Sequence, residues 1–115
     1  MKTYAGKRQG EVVTVTVDGQ PLDPRLDLRD FQASGFEWGY EGSGPSQLAL
    51  AILAEHAGPE AALGGYRDFM QVIVAELEGD EWTLTGEEID RRIGQVTMVP
   101  MDLKTLIRKV KGEID

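Results

Sequence analysis

FEWGYEGSGPSQLALAILA, residues 36–54, is the stretch that decides the fold. Leu48 to Ala54 are seven consecutive apolar residues. A helix built from them has no polar face and has to be buried on every side. Gly44 and Pro45 mark its start, because Pro suits the first helical position, where its missing N–H costs nothing. The helix is expected to run from Pro45 to about His56 and to stop at Gly58-Pro59. Ahead of it lies an aromatic, Gly-rich loop from Phe36 to Ser43.

A helix buried all round needs partners on every side, and the flanking sequence supplies them. Downstream, Pro59 can open a second helix at once, giving a tight helical corner. Ala62, Tyr66, Phe69, Met70, Ile73 and Leu77 recur there at helical spacing. Gly64-Gly65 is expected to interrupt its first part, leaving Tyr66 to Leu77 as the dependable helix and Gly79-Asp80 as its end. Upstream, EVVTVTV at residues 11–17 alternates Val with Thr and reads as a strand. Asp18-Gly19 is a hairpin signal. The return strand, Gln20 to Leu22 with a possible continuation at Arg25 to Leu28, is held short or to an edge by Pro21 and Pro24. Lys2 to Lys7 forms a further strand, turning at Gln9-Gly10, and Arg29 to Gly35 reads as loop.

Beyond the second helix, Trp82-Thr83-Leu84 is a short extended stretch. Thr85-x-x-Glu88 has capping-box spacing and predicts a short helix carrying Ile89 and Ile93, with Gly94 as its stop. Gln95 to Met101 is expected to be extended or loop, broken at Pro100. A last helix capped by Asp102 carries Leu103, Leu106, Ile107 and Val110 on one stripe, with basic residues toward its C-terminus. The chain therefore divides into one α+β domain, residues 1–94, and a C-terminal extension, 95–115. The expected architecture is a small N-terminal antiparallel sheet of about three strands, packed against the buried central helix and two to three further helices.

Composition narrows the function. A chain of 115 residues makes one domain, and its 41% hydrophobic and 28% charged residues are those of a folded protein. The net charge is −8, which disfavours direct nucleic-acid binding. No apolar run reaches membrane-spanning length, and Met1-Lys2-Thr3-Tyr4 leads into no signal-peptide core, so a cytoplasmic protein is expected. Cysteine is absent and His56 is the one histidine, which rules out zinc–thiolate, cysteine-nucleophile and multi-histidine sites. His56 stands about ten residues, or roughly 15 Å of helix, from Ser46, so no Ser-His pair forms on the central helix. Near a helix C-terminus, His56 has an ordinary explanation in the helix dipole. Glu87, Glu88 and Asp90 with Asp80 and Glu81 read as a solvated acidic face, and acids in a first helical turn are favoured by the dipole alone. No catalytic residues, metal or cofactor are expected.

The candidate site is the loop and helix start. Gly42, Ser43 and Gly44 precede a helix N-terminus, whose free N–H groups and dipole attract anions. Ser43, Ser46 and Gln47 can add hydrogen bonds, and Trp38 and Tyr40 can stack on a planar ring. A small anionic, nucleotide-like ligand fits this set. Against it, the spacing is neither a Walker loop nor a dinucleotide fingerprint. No Lys or Arg lies between Phe31 and Tyr66, and Glu37 and Glu41 repel anions. On structural grounds Phe36, Trp38 and Tyr40 would instead plug the core. A partner-binding stripe at Leu103, Leu106, Ile107 and Val110 is the alternative contact, for an unknown protein partner or a homodimer.

The motif FEWGYEGSGPSQLALAIL, with upstream Tyr4-Ala5-Gly6 and VTVDGQPL and downstream Tyr66-x-x-Phe69 and Trp82-x-Leu84-Thr85, resembles a family of small prokaryotic and phage proteins catalogued as a domain of unknown function. The resemblance covers roughly residues 2–93 and implies no activity, catalytic residue or cofactor. The chain departs from the family pattern at Gln32-Ala33-Ser34 and at Glu41, and the tail after Gly94 lies outside it. The phage or mobile-element setting of the family implies a host-interaction role. The leading expectation is a small non-enzymatic regulatory protein acting through a protein partner. A ligand binder at the Gly-rich loop is the second, and an acidic DNA mimic the third.

Overall fold

The computed structural model of the chain describes residues 2–97, with side chains to Ile93. The expected Pro100 break and the last helix with Leu103, Leu106, Ile107 and Val110 lie outside the described residues. The elements in order are β1 (Thr3–Gln9), β2 (Val12–Val17), β3 (Gln20–Pro21), α1 (Ser43–Ala57), α2 (Pro59–Val72), a 3₁₀ turn at Val74–Glu76, β4 (Glu81–Thr85) and α3 (Gly86–Thr97). The fold is α+β. Its sheet is antiparallel in the order β3-β2-β1-β4, with four strands rather than about three. The additional strand is β4, the Trp82-Thr83-Leu84 stretch, which pairs with β1.

Register explains the two faces of the sheet. Tyr4 pairs with Val17 and Leu84, and Gly6 with Val15 and Trp82, so these residues share one face. Tyr4, Val15, Trp82 and Leu84 are buried in one cluster with α1. Thr3, Ala5 and Lys7, with Thr14, Thr16, Glu81, Thr83 and Thr85, occupy the opposite, more polar face, as a one-sided antiparallel sheet requires. The Trp82 indole lies directly over Gly6, where any Cβ would collide with its ring. The Asp18-Gly19 hairpin forms as expected, with φ of 51° and 85°, the positive values of a type I′ turn. Arg25 to Leu28 does not continue the strand. It forms a turn in which Arg25 pairs with Asp27.

α1 is buried from Gly44 to Ala54 without a break, as its composition demands. It begins at Ser43, two residues before the expected Pro45. Gly58, with φ 99°, ends it, and Pro59 opens α2 at once. α2 runs straight through Gly64-Gly65, contrary to expectation. Gly65 is itself buried, on the same stripe as Ala62, Tyr66, Phe69 and Met70, so packing outweighs the roughly 1 kcal/mol helix penalty of a glycine. α2 ends at Val72, and the chain tightens into the 3₁₀ turn before Leu77.

The capping box forms at the start of α3. Thr85 N–H donates to Glu88 Oε1 at 2.9 Å, and Glu88 N–H donates to Thr85 Oγ1 at 3.0 Å. Gly94 does not stop this helix, which continues through 95–97 to Thr97. Ile89 is fully buried, so one face of α3 is held to the core. His56 in the last turn of α1 meets Asp90 at 2.7 Å, joining α1 to α3 by a side-chain contact as well as a dipole one. Among the described residues no helix is long and apolar enough to cross a membrane.

Candidate functional site

The residues expected to form one loop site divide between the core and the surface. Trp38 is 2% exposed. Its indole N–H donates to Gly79 O at 2.9 Å, and its ring meets Trp82 edge-on at 5.6 Å. The Arg8 guanidinium lies 4.5 Å above the Trp38 ring and also pairs with Glu37 and Asp80. Those two carboxylates hold the Arg8 guanidinium above its ordinary pKa, through hydrogen bonds first. Trp38 is therefore covered and is not free to stack on a ligand. Gly39 follows with φ 90° and donates to Val74 O at 3.0 Å, so the Trp-Gly pair is pinned to the segment after α2. Tyr40 does the reverse of plugging the core: it is 51% exposed, with its ring beside Gly42.

Gln47 is also committed to the fold. Its Nε2 donates to Pro24 O at 2.8 Å and Arg29 O at 3.0 Å, and its Oε1 accepts from Phe31 N–H at 3.0 Å. It clasps the 24–31 loop against α1. Gly44 serves packing too. A Cβ there would press on Glu37 Cβ at 2.9 Å and Gly35 O at 3.1 Å.

Gly42, Ser43 and Ser46 remain, and they come together in an open depression of ≈ 470 Å³ at the start of α1. The 29–31 loop contributes Arg29 and Phe31, and α2 contributes Tyr66, Arg67, Met70 and Gln71, with Glu41 at the rim. Phe31 and Tyr66 meet edge-on at 5.0 Å, and the Arg29 guanidinium sits over both rings, 4.8 Å and 5.6 Å from their centroids. These aromatic contacts fix a cation at the rim of the depression. Gln71 Nε2 donates to Glu41 Oε1 at 3.4 Å, drawing that acid toward α2.

The helix end in this depression carries no side-chain cap. Because α1 starts at Ser43, Ser46 N–H is already bonded to Gly42 O at 2.9 Å. A helix starting at the expected Pro45 would have left the Ser46 N–H without a helix carbonyl, and the start at Ser43 corrects this. The N–H groups without a helix carbonyl belong to Ser43 and Gly44, and Pro45 has none. Ser46 contributes its hydroxyl instead. That residue is 8% exposed and lines the depression.

Two residues that sequence reasoning missed are thus Arg29 and Arg67. The absence of a cation between Phe31 and Tyr66 holds along the chain but not in space. Both arginines flank that interval, one just before it and one just after. Tyr66-Arg67 at the exposed edge of the α2 stripe was the available signal. The acidic residues 80–90 do not converge. Asp80 pairs with Arg8, Glu88 caps α3 and Asp90 meets His56, and no metal-holding cluster occurs among the described residues.

Residues 4–95 match the model of a family described as a family of unknown function, DUF6166. The match spans every residue of the depression and ends inside α3. No curated protein and no solved structure matches the chain.

Proposed function

The chain belongs to DUF6166, a family of unknown function, and from its geometry we propose that it is a non-enzymatic binding protein that takes a small anionic ligand at the start of α1. One observation carries this: Arg29 and Arg67, from a loop and from α2, line the same depression as the uncapped α1 N-terminus. Helix-end N–H groups and two guanidiniums are complementary to an oxyanion. Glu41 opposes them, and its contact with Gln71 offsets part of that opposition. The covered Trp38 is lost as a stacking partner for a planar ring, whereas Tyr40 stays exposed beside Gly42 at the edge of the depression. A cytoplasmic setting and action on a protein partner through the ligand-bound form are compatible with this proposal.

A thermal-denaturation screen of small anions tests it. Anions that bind the native state raise Tm with concentration by mass action. The expected result is a set of anions that stabilise the wild type and fail to stabilise the Arg29→Gln/Arg67→Gln variant. Equal stabilisation of both proteins would reject the site.

A further inference from the structure

We propose that the anionic group taken by this depression is presented by another protein, as an acidic segment with apolar residues beside its acids; this rests on the anion-binding function above. Two observations that owe nothing to the helix end point to such a partner. The first is the state of the arginines. Lys2, Arg8 and Arg25 each pair with a carboxylate of the chain. Arg29 and Arg67 are exposed, and neither forms an ion pair among the described residues, in a chain of 20 acidic and 12 basic residues. The rings of Phe31 and Tyr66 position the Arg29 guanidinium without supplying an anion. Two unpaired guanidiniums on one surface are complementary to acids on another molecule.

The second observation is apolar surface that a small ion would leave bare. Leu63 is 47% exposed and Tyr40 51%. Leu63 stands one turn before Tyr66 and Arg67 on α2, so it continues the helix face that lines the depression. From Leu63 to Gln71 that face runs about 12 Å, longer than a single oxyanion. The Tyr40 ring lies beside Gly42, which also lines the depression. Tyr and Arg are the side chains that carry much of the binding energy in protein interfaces. Arg29 and Arg67 come from different elements, so spaced acids suit them, and each guanidinium can take a carboxylate in bidentate geometry. Leu63 and Tyr40 take apolar side chains beside those acids. A nucleic acid or an anionic membrane brings dense negative charge, which a molecule at −8 repels. Glu41, at the rim, opposes any acid and limits the segment to a few charges.

Calorimetric titration of the full chain is the test, at low salt because screening weakens such contacts. The probes are inorganic sulfate and short blocked peptides that carry two glutamates at varied spacing with two leucines beside them. At least one peptide is expected to bind at a single site, more tightly than sulfate and in competition with it. Its counterparts with glutamine for glutamate, or serine for leucine, are expected to bind about tenfold more weakly. Leu63→Ser, an exposed change that leaves the core untouched, is expected to weaken the peptide several-fold and to leave sulfate unchanged, whereas Arg67→Gln weakens both. Sulfate binding that no peptide exceeds, or peptide binding unchanged in folded Leu63→Ser and Tyr40→Ser proteins, would overturn the protein partner while leaving the small-anion site standing. A glutamine peptide that binds as tightly as the glutamate peptide would overturn the role of the acids. No binding of sulfate or of any peptide would remove both this proposal and the function it rests on.

Discussion

Gln47 uses its amide three times, on Pro24 O, Arg29 O and Phe31 N–H, and so ties a whole loop to α1. That loop carries Arg29 to the depression. Gln47→Leu leaves three backbone groups to find new partners, at a cost of about 2–4 kcal/mol. The expected outcome is a lower urea midpoint together with weaker anion binding, since Arg29 loses its anchor. An unchanged midpoint would mean that water replaces the clasp at no cost. Tyr4 makes a different point. It is fully buried with its hydroxyl unpartnered, and burial first, then the negative Glu55 and Asp18, push its pKa up to about 12. The folded state therefore holds the phenol proton more tightly than the unfolded chain, whose tyrosine titrates near pH 10. Its contribution to stability is fully present below about pH 10 and is lost as pH rises toward 12. Tyr4→Phe is expected to flatten that alkaline limb in denaturation curves taken between pH 9 and roughly 12. An alkaline limb of unchanged slope in the variant would assign it to other groups.

At the scale of elements, composition fixed α1 because seven apolar residues in a row admit only a buried helix, and eleven consecutive residues from Gly44 to Ala54 are indeed buried. Leu50→Ala should cost about 2–5 kcal/mol in chemical denaturation, since Leu50 is fully enclosed and the cavity cannot collapse freely. The capping box was legible for a similar reason: its two hydrogen bonds depend on four neighbouring residues alone. Glu88→Ala, with Thr85 left in place, is expected to lower stability by about 1 kcal/mol, measured the same way. Local spacing failed where tertiary packing decided. Gly64-Gly65 read as an interruption, but Gly65 is buried in the stripe of α2 and the helix continues. Gly94 read as a stop, yet α3 runs on to Thr97. β4 read as an isolated extended stretch because its partner, β1, lies almost eighty residues upstream, and no local pattern reports such a pairing.

Across the whole molecule, the depression draws on a loop, α1 and α2, so its chemistry was only partly legible. Gly42, Ser43 and Ser46 stood in the helix-start motif, whereas Trp38 and Gln47 in the same motif serve the core and the loop clasp. The cations come from positions 29 and 67, outside the motif, and meet it only through folding. A protein of net charge −8 thereby presents one local arrangement suited to an anion. That arrangement is tested most directly by ¹⁵N-resolved NMR of the full chain titrated with the small anions that raise its Tm, following the amides of residues 42–47 and the side-chain Nε–H groups of Arg29 and Arg67. Saturable shifts confined to the Ser43, Gly44 and Ser46 amides and the two guanidiniums, absent in Arg29→Gln/Arg67→Gln, are the predicted result. Shifts that appear elsewhere on the molecule, or that persist in the double variant, would contradict an anion site at the start of α1.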